Sequence, residues 1–317
     1  MDKRSRFLVL GGFGFIGRHT VRALLKAGHA VRVFDRSAPS LDVLEQSFDN
    51  LENLEVVTGD FTQKQDITAA LKDCDGCIHL VTTTLPASSN DKKIFDVQTN
   101  LIGTIQLLET MRELDIKKLV FLSSGGTVYG NPVYLPIDEK HPTNPRSSYG
   151  ITKLSIEKYC ALFNQLYGMK SVIIRLSNPY GPGQSHSGIQ GAIPVFAAKA
   201  LSGQPIEIWG DGNVVRDYIY IDDVAEAIIS VINYAGNETV FNIGHGKGTS
   251  LKEIVSNIEA VINRTVSVNY LESRSLDVQT NILDISKARN ELAWQPAMGL
   301  DRGIRRVLDE LQEKKSD

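Results

Sequence analysis

The stretch Phe7-Leu8-Val9-Leu10-Gly11-Gly12-Phe13-Gly14-Phe15-Ile16-Gly17 restricts the fold more than any other part of the chain. Its four apolar residues predict a buried strand. Gly11, Gly14 and Gly17 recur at every third position. An amphipathic pattern then runs to about Lys26, with Ile16, Thr20, Leu24 and Ala27 on one helical face. Gly28 stops that helix. A second apolar run, from Ala30 to Phe34, ends in Asp35. Strand, glycine turn, helix, strand and acid make one βαβ unit. The glycines let the backbone turn tightly and approach a pyrophosphate, while the N–H groups at the helix start, at Phe15 and Ile16, face an anion. Asp35 can accept hydrogen bonds from ribose hydroxyls and would repel a 2′-phosphate, so NAD is favoured over NADP. Arg36, next in the chain, weakens that preference slightly.

The 317 residues, 42% hydrophobic and 22% charged, are enough for a sizeable core in one large domain or two lobes. A net charge of −3 supplies no electrostatic case for nucleic acid or an anionic membrane. No apolar run is long enough to span a bilayer. The opening Met1-Asp2-Lys3-Arg4-Ser5-Arg6 leads straight into the first strand without a signal-peptide pattern, so a cytoplasmic protein is expected. Cys74, Cys77 and Cys160 do not make a disulfide framework. Cys74-Asp75-Gly76-Cys77 matches the C-x-x-C of redox and metal sites, but a single pair at the entry to a strand reads as structural, and no metal is expected.

Further along, a strand over 54–57 releases Asp60 and Phe61 at its carboxyl end, the ligand edge of an open parallel sheet. Asp60 also suits the N-terminal region of a helix running to Leu71. A strand over 76–81 brings Leu80, Thr82, Thr83 and Thr84 to the same edge. A long helical region over 92–114 places Ile94, Val97, Leu101, Ile105 and Leu108 at helical spacing, with Asn100 inside it. The strand over 118–122 delivers Ser123-Ser124-Gly125-Gly126-Thr127-Val128-Tyr129-Gly130 to the ligand edge. Tyr149 and Lys153 then stand one helical turn apart on one face, after the turn and cap signals Asn144-Pro145 and Ser147-Ser148. A free phenol titrates near ~10. A nearby ammonium and the positive charge of an oxidised nicotinamide both favour the phenolate. Tyr149 is therefore the candidate general acid/base and Lys153 its partner, which can also hold the nicotinamide ribose. The second half reads as a strand over 171–176, a helix over 189–201, a short strand over 206–209, a turn at Gly210-Asp211-Gly212, the segment Arg216 to Ala225 followed by a helix to about Tyr234, a strand over 239–243, a Ser250-capped helix over 251–263, a strand from Val266, a loop over 272–281 and two final helices.

Gly11/Gly14/Gly17, Asp35, Gly59-Asp60, Ser123-Ser124, Tyr149/Lys153, Asn178 and Arg216-Asp217-Tyr218 together resemble the extended short-chain dehydrogenase/reductases of the NAD-dependent epimerase/dehydratase family, most of all the UDP-galactose and UDP-N-acetylglucosamine 4-epimerases. The resemblance runs from Phe7 to about Arg305. It implies an α/β fold, a doubly wound parallel Rossmann sheet with a smaller C-terminal substrate-binding lobe. The implied division is 1–177, with 214–246 returning to it, and 178–213 with 247–317. It implies bound NAD, contacted by Gly11, Gly14, Phe15, Ile16, Gly17, Asp35, Arg36, Asp60, Phe61, Leu80, Thr82, Asn100, Ser123, Tyr149 and Lys153. Asp60 would meet the adenine amino group, and Asn100 would order the site from behind.

The same resemblance gives Asn178 and Arg216 the diphosphate of a UDP-sugar, and Arg274 and Asp277 its uridine side. Asn281, four after Asp277, would stand at the pocket wall where a tyrosine restricts some members to UDP-glucose and UDP-galactose. The smaller Asn implies that the N-acetylated pair is admitted too. The implied reaction is 4-epimerisation by transient oxidation at C4, in a homodimer built on the helices over 92–114 and 148–167. Two departures stand out. Gly125, four before Tyr129, replaces a usual serine or threonine, which leaves Thr127 or Ser124 to relay the proton. Gly191, three before Pro194, replaces a frequent asparagine, so one sugar or phosphate contact differs. The alternatives are a 4-keto nucleotide-sugar reductase, then a 4,6-dehydratase or a non-catalytic dinucleotide sensor. The dehydratase needs a carboxylate that Gly125-Gly126-Thr127 lacks, and a sensor does not need Tyr149 and Lys153.

Overall fold

The computed structural model describes residues 5–185, 191–273 and 278–316. Strand and helix alternate through the first half: β1 (Arg6–Leu10), α1 (Phe15–Lys26), β2 (Ala30–Asp35), α2 (Leu41–Ser47), β3 (Leu54–Thr58), α3 (Lys64–Leu71), β4 (Gly76–His79), α4 (Pro86–Ser89), α5 (Lys93–Asp96), α6 (Gly103–Glu113), β5 (Lys118–Ser124), α7 (Ser148–Tyr167) and β6 (Lys170–Leu176). A π-helical stretch, Val97–Ile102, joins α5 to α6. The second half runs β7 (Asn178–Tyr180), α8 (Ala192–Ser202), β8 (Ile206–Trp209), β9 (Val215–Tyr220), α9 (Ile221–Asn233), β10 (Val240–Ile243), β11 (Gly248–Ser250), α10 (Leu251–Ile262), β12 (Val268–Leu271), β13 (Thr280–Asn281), α11 (Ser286–Leu292) and α12 (Leu300–Ser316). Two compact units result. One comprises Met1–Gly130, Thr143–Arg175 and Ala225–Phe241, and the other Asn131–Pro142, Leu176–Val224 and Asn242–Asp317.

The first unit is built on a seven-stranded sheet in the order β10-β6-β5-β4-β1-β2-β3. β1 pairs in parallel with β2 on one side and β4 on the other, so the chain order reverses there. Such a switch point opens a crevice at the carboxyl ends of the two strands. The strands read as continuous apolar runs because helices cover both faces. Leu8, Leu10, Phe34, Leu107, Phe121, Ile156 and Phe163 belong to the core that results.

Local details differ from the expected pattern. The buried face of α1 is Gly17, His19, Thr20, Val21, Leu24 and Leu25, while Ala27 caps the helix in the open. Gly17 lies against the preceding turn, and this rotates the helix away from the Ile16 face. β4 ends at His79, two residues before Val81, because the loop beyond it is drawn toward Asn100. The helix expected over 92–114 contains the π stretch, and it leaves Ile94 75% and Val97 38% exposed instead of burying them. Cys74 and Cys77 are buried, and burial pushes the Cys74 thiol up to about 11. Among the described residues no group of His, Cys, Asp and Glu could hold a metal ion. No described helix is long and apolar enough to cross a membrane.

In the second unit β9 is the hub. Val215–Asp217 pairs antiparallel with β11, and Val215 and Arg216 pair in parallel with β13. Tyr218, Ile219 and Tyr220 pair in parallel with β7. The fully buried Asp217 carboxylate accepts the backbone N–H groups of His245 (2.7 Å), Gly246 (3.1 Å) and Leu283 (3.3 Å). Burial still outweighs these bonds and raises its pKa to about 6. Ser250 caps α10 reciprocally with Glu253.

Asp223, at the start of α9, performs the same service for the C-terminal segment. Its carboxylate accepts from Ala297 N (2.9 Å) and Met298 N (3.1 Å), and its carbonyl from Trp294 Nε1 (3.1 Å). Asp223→Ala would strand two N–H groups and should lower stability by about 2–3 kcal/mol. Urea unfolding followed by tryptophan emission measures the loss, and a variant as stable as the wild type would disprove the anchoring role.

Candidate active site

The glycine turn between β1 and α1 is sterically sealed. Gly11 has φ +78°, and its N–H donates to Phe34 O at 2.9 Å. A Cβ on Gly17 would lie 2.1 Å from Gly11 O and 2.7 Å from Gly12 C, so no side chain fits. The closeness brings the start of α1, with Phe15 and Ile16, onto the turn, where free N–H groups and the helix dipole favour an anion. Gly14 is exposed at the helix N-cap. Asp35 closes the turn from β2: Oδ2 accepts from Phe13 N (3.2 Å) and Oδ1 from Arg36 N (2.8 Å). Arg36 itself is exposed. This cradle without side chains, with an acid at the end of the second strand, fits NAD.

The other expected cofactor residues fall into two groups. Asp60 is exposed in its own turn, with Oδ1 accepting from Thr62 N and Thr62 Oγ1, both at 2.8 Å. The Thr62 backbone bond holds its carboxyl below the usual range. Leu80, half-buried, and Thr82, exposed, follow β4. Phe61 and Ser123 instead turn inward. The Phe61 ring lies in the core against His79, and the Ser123 hydroxyl donates to Glu157 Oε1 at 2.5 Å. Asn100, 5% exposed, braces the β4 loop: Oδ1 accepts from Thr83 N (2.9 Å), and Nδ2 donates to Asp96 Oδ1 (2.8 Å).

Tyr149 and Lys153 stand on the first turns of α7, whose start is fully capped. Ser89 Oγ accepts from Tyr149 N, Asn90 Oδ1 from Ser148 N, and Ser147 Oγ from Gly150 N. Lys153 is 4% exposed, donates to Leu122 O at 2.9 Å, and lies 5.7 Å from the Tyr149 ring centre. Burial lowers it to about 8, opposed by Asp96 and Glu157. Burial, then the Asp96 charge, pushes the Tyr149 phenol up to about 12. The expected lowering of the phenol by Lys153 is therefore outweighed by burial. Ser124 and Thr127 lie in the turn after β5, and Thr127 Oγ1 is buried with no hydrogen-bond partner among the described residues. A Cβ on Gly150 would sit 2.9 Å from Thr127 O, so α7 begins directly against this turn.

Beneath the turn lies a buried cluster that the motifs did not single out. Glu157 Oε2 accepts from Arg175 Nη2 (2.7 Å), and Arg175 Nη1 donates to Tyr129 Oη (3.0 Å). Asp96 and Thr152 were equally inconspicuous, and Ser148 stood out only as a helix-cap signal. Their available signal was spacing: Glu157 is four after Lys153, and Ser148 and Thr152 repeat the Tyr149/Lys153 interval one residue earlier.

In the second unit β9 brings Asn178, Arg216 and Asn281 together. Asn178 Nδ2 donates to Asp217 O (3.1 Å), and Asn281 faces Arg216 in register. Arg216 is half-buried, with Nη1 donating to Val215 O (2.9 Å). Asn281 is 1% exposed and built into the sheet. The Gly191 position lies against Gln184, whose Nε2 donates to Pro179 O (3.3 Å). Arg274 and Asp277 lie outside the described residues.

Residues 7–244 match the sequence model of the NAD dependent epimerase/dehydratase family. A Methanocaldococcus jannaschii protein, provisionally named a UDP-glucose 4-epimerase, is 40% identical over 95% of this chain and 97% of its own. The dTDP-4-dehydro-6-deoxyglucose reductase of Escherichia coli is 32% identical over 99% of this chain and 100% of its own. The crystal structure of the UDP-glucose 4-epimerase of Thermotoga maritima with UDP-glucose superposes with a TM-score of 0.90 at 32% identity, covering 98% of this chain and 99% of that one.

The placement of Asp35 predicts its effect. Asp35→Ala should weaken NAD binding about tenfold and narrow the preference over NADP. Calorimetric titration with both dinucleotides measures this, and wild-type protein that bound NADP more tightly would refute the reading of β2.

Proposed function

The chain belongs to the NAD dependent epimerase/dehydratase family, and from that footing we propose that it is a UDP-hexose 4-epimerase, an isomerase that works through NAD. One observation carries the choice of reaction. Tyr149 and Lys153 share one face of α7 beside a turn, Ser124 to Thr127, that bears hydroxyls and no carboxylate. Proton removal from an alcohol needs one acid/base, whereas elimination needs a second.

Tyr149 takes the proton of the sugar 4-hydroxyl, directly or through Thr127 or Ser124. The unpartnered, buried Thr127 Oγ1 favours Thr127 as the relay. NAD, held by the Gly11–Gly17 turn and Asp35, would supply a reversible hydride acceptor for C4, so the reaction would involve no net redox. Lys153, held by Leu122 O, keeps a positive charge near the phenol that opposes the rise burial imposes on it, and a bound oxidised nicotinamide would add to that opposition. Asn178 and Arg216 hold the diphosphate while the 4-keto sugar turns over, the guanidinium pairing with phosphate oxygens. Arg274 and Asp277 take the uridine side in this proposal. By the resemblance, an asparagine at position 281 where a tyrosine restricts some members admits the N-acetylated pair, so UDP-GlcNAc and UDP-GalNAc are included as substrates. The E. coli relative makes a 4-keto reductase the second reading.

The deciding assay incubates purified protein with UDP-galactose and UDP-GalNAc, without added cofactor, and follows both 4-epimers. Wild type should convert both, and denaturing it should release NAD. Tyr149→Phe should keep binding and lose at least about a thousandfold in kcat. Thr127→Ala should lose more rate than Ser124→Ala. Stoichiometric consumption of reduced cofactor would establish the reductase, and turnover of UDP-galactose alone would remove the acetylated pair.

A homodimer and a cytoplasmic location complete the proposal. Ile94, Phe95 and Ile102 on the first helical run, and Ile151, Leu162 and Leu166 on α7, are all at least 43% exposed. Apolar side chains grouped this way on two helices mark an interaction surface. Three buried free cysteines suit a reducing compartment. Sedimentation velocity should find a dimer, and Ile94→Asp with Leu166→Asp a folded monomer. A monomeric wild type would end the dimer proposal, and targeting of a tagged chain outside the cytoplasm would end the other.

A further inference from the structure

Asp96 is 0% exposed and stands where α5 passes into the π stretch. Its carboxylate accepts four hydrogen bonds, all from neutral donors. Oδ1 takes Thr84 Oγ1 (2.5 Å) and Asn100 Nδ2 (2.8 Å), and Oδ2 takes Ser148 Oγ (2.8 Å) and Thr152 Oγ1 (2.9 Å). Among the described residues it makes no ion pair. Ser148 and Thr152 are one helical turn apart, and each immediately precedes one member of the Tyr149/Lys153 pair. A single carboxylate therefore grips both turns of α7 that carry the pair. Through Thr84 and Asn100 it also holds the loop beyond β4.

Hydrogen bonding alone does not require a charge here, since hydroxyls can turn to suit a neutral partner. An anion suits the place for another reason. It lies at the first turn of a 20-residue helix, where the dipole favours negative charge. In a dry interior its field reaches its neighbours with little screening. The charged and titratable groups that meet Lys153 are Asp96 from α5, Tyr149 and Glu157 from its own helix and His79 from β4, which burial keeps neutral. Those that meet Tyr149 are Asp96 and Lys153.

We propose that Asp96 is a positioning residue for Tyr149 and Lys153 whose buried charge also sets the pH range over which the pair works. The inference rests on the epimerase reading for its substrate but not for its geometry. Removing the negative charge makes the Lys153 ammonium less favourable and the Tyr149 phenolate more favourable. Both groups then titrate at lower pH. In the NAD-loaded protein, where the nicotinamide's positive charge would counter the rise that burial imposes on the phenol, the acid limb of kcat marks phenolate formation and the alkaline limb loss of the ammonium, and both should move the same way.

The test uses the NAD-loaded full chain and Asp96→Asn, which keeps shape and removes charge. The kcat–pH profile on UDP-galactose should slide about one pH unit toward acid at both limbs, with a lower plateau. Phenolate absorbance, read as the difference from the same protein with Tyr149→Phe, should shift likewise and needs no turnover. A lower plateau with both limbs and the phenolate titration unmoved would make Asp96 a structural brace only. If wild type turns over no UDP-hexose, the epimerase reading fails and the phenolate titration still decides on Asp96. If Asp96→Asn does not fold, Ser148→Ala and Thr152→Val carry the test. They keep the charge and loosen the grip, so each should lower the plateau several-fold with its limbs in place. Undiminished rates in both would overturn the proposal.

Discussion

The first unit depends on one buried ion pair. Glu157 on α7 and Arg175 on β6 are 4% and 5% exposed, and they meet at 2.7 Å. Ser123 at the end of β5 donates to Glu157, and Tyr129, beyond the active-site turn, accepts from Arg175. Two strands, one helix and one turn are thereby tied at a single point. Removing either ion alone would leave an uncompensated charge in the core, a loss of roughly 3–5 kcal/mol. Burial would ordinarily depress the guanidinium, but the carboxylate and phenol around it reverse the direction. The Ser124–Thr127 turn and Tyr149 thus rest on a rigid polar floor.

Above that floor Asn100 and Lys153 are fixed by their own hydrogen bonds. Asn100 uses both ends of its amide to join the β4 loop to the π stretch. Lys153 is fixed on a main-chain carbonyl. The hydroxyl of Thr127, by contrast, is buried and unpartnered among the described residues. A buried hydroxyl without a partner is a group for which a bonding role must be sought. Catalysis by proton transfer needs such a contrast, with rigid surroundings and one or two groups that bond only when the substrate is present.

The βαβ unit, the ligand edge and the Tyr149/Lys153 helix were legible because each depends on local pattern. Glycine spacing, apolar runs and an i, i+4 pair all lie within a few residues. What escaped the sequence depends on contacts between distant segments. Asp96 meets Ser148 and Thr152 more than fifty residues away, and Arg175 meets Tyr129 across 46 residues. Periodicity also misplaced Ile94 and Val97, since it identifies an apolar face without saying what covers it. Phe61 and Ser123 sit at the ligand edge by chain position, yet their side chains serve the core. The balance at Tyr149 was illegible for a similar reason. An ammonium one turn away suggests an easier ionisation, and only the packing reveals how much burial opposes it.

The glycine turn separates what the chain can change from what it cannot. Gly17 admits no side chain against Gly11 and Gly12, so this corner is closed to substitution. Asp35 and Arg36, at the end of the adjoining strand, are half-buried and exposed. Neither meets the steric bar at Gly17, and Asp35 is tied to the corner only through its bond from Phe13 N. Descendants of such a chain could therefore vary at the strand end, while the shape of the glycine corner stays frozen. Heritable variation and heritable constancy of fold are housed a few ångströms apart.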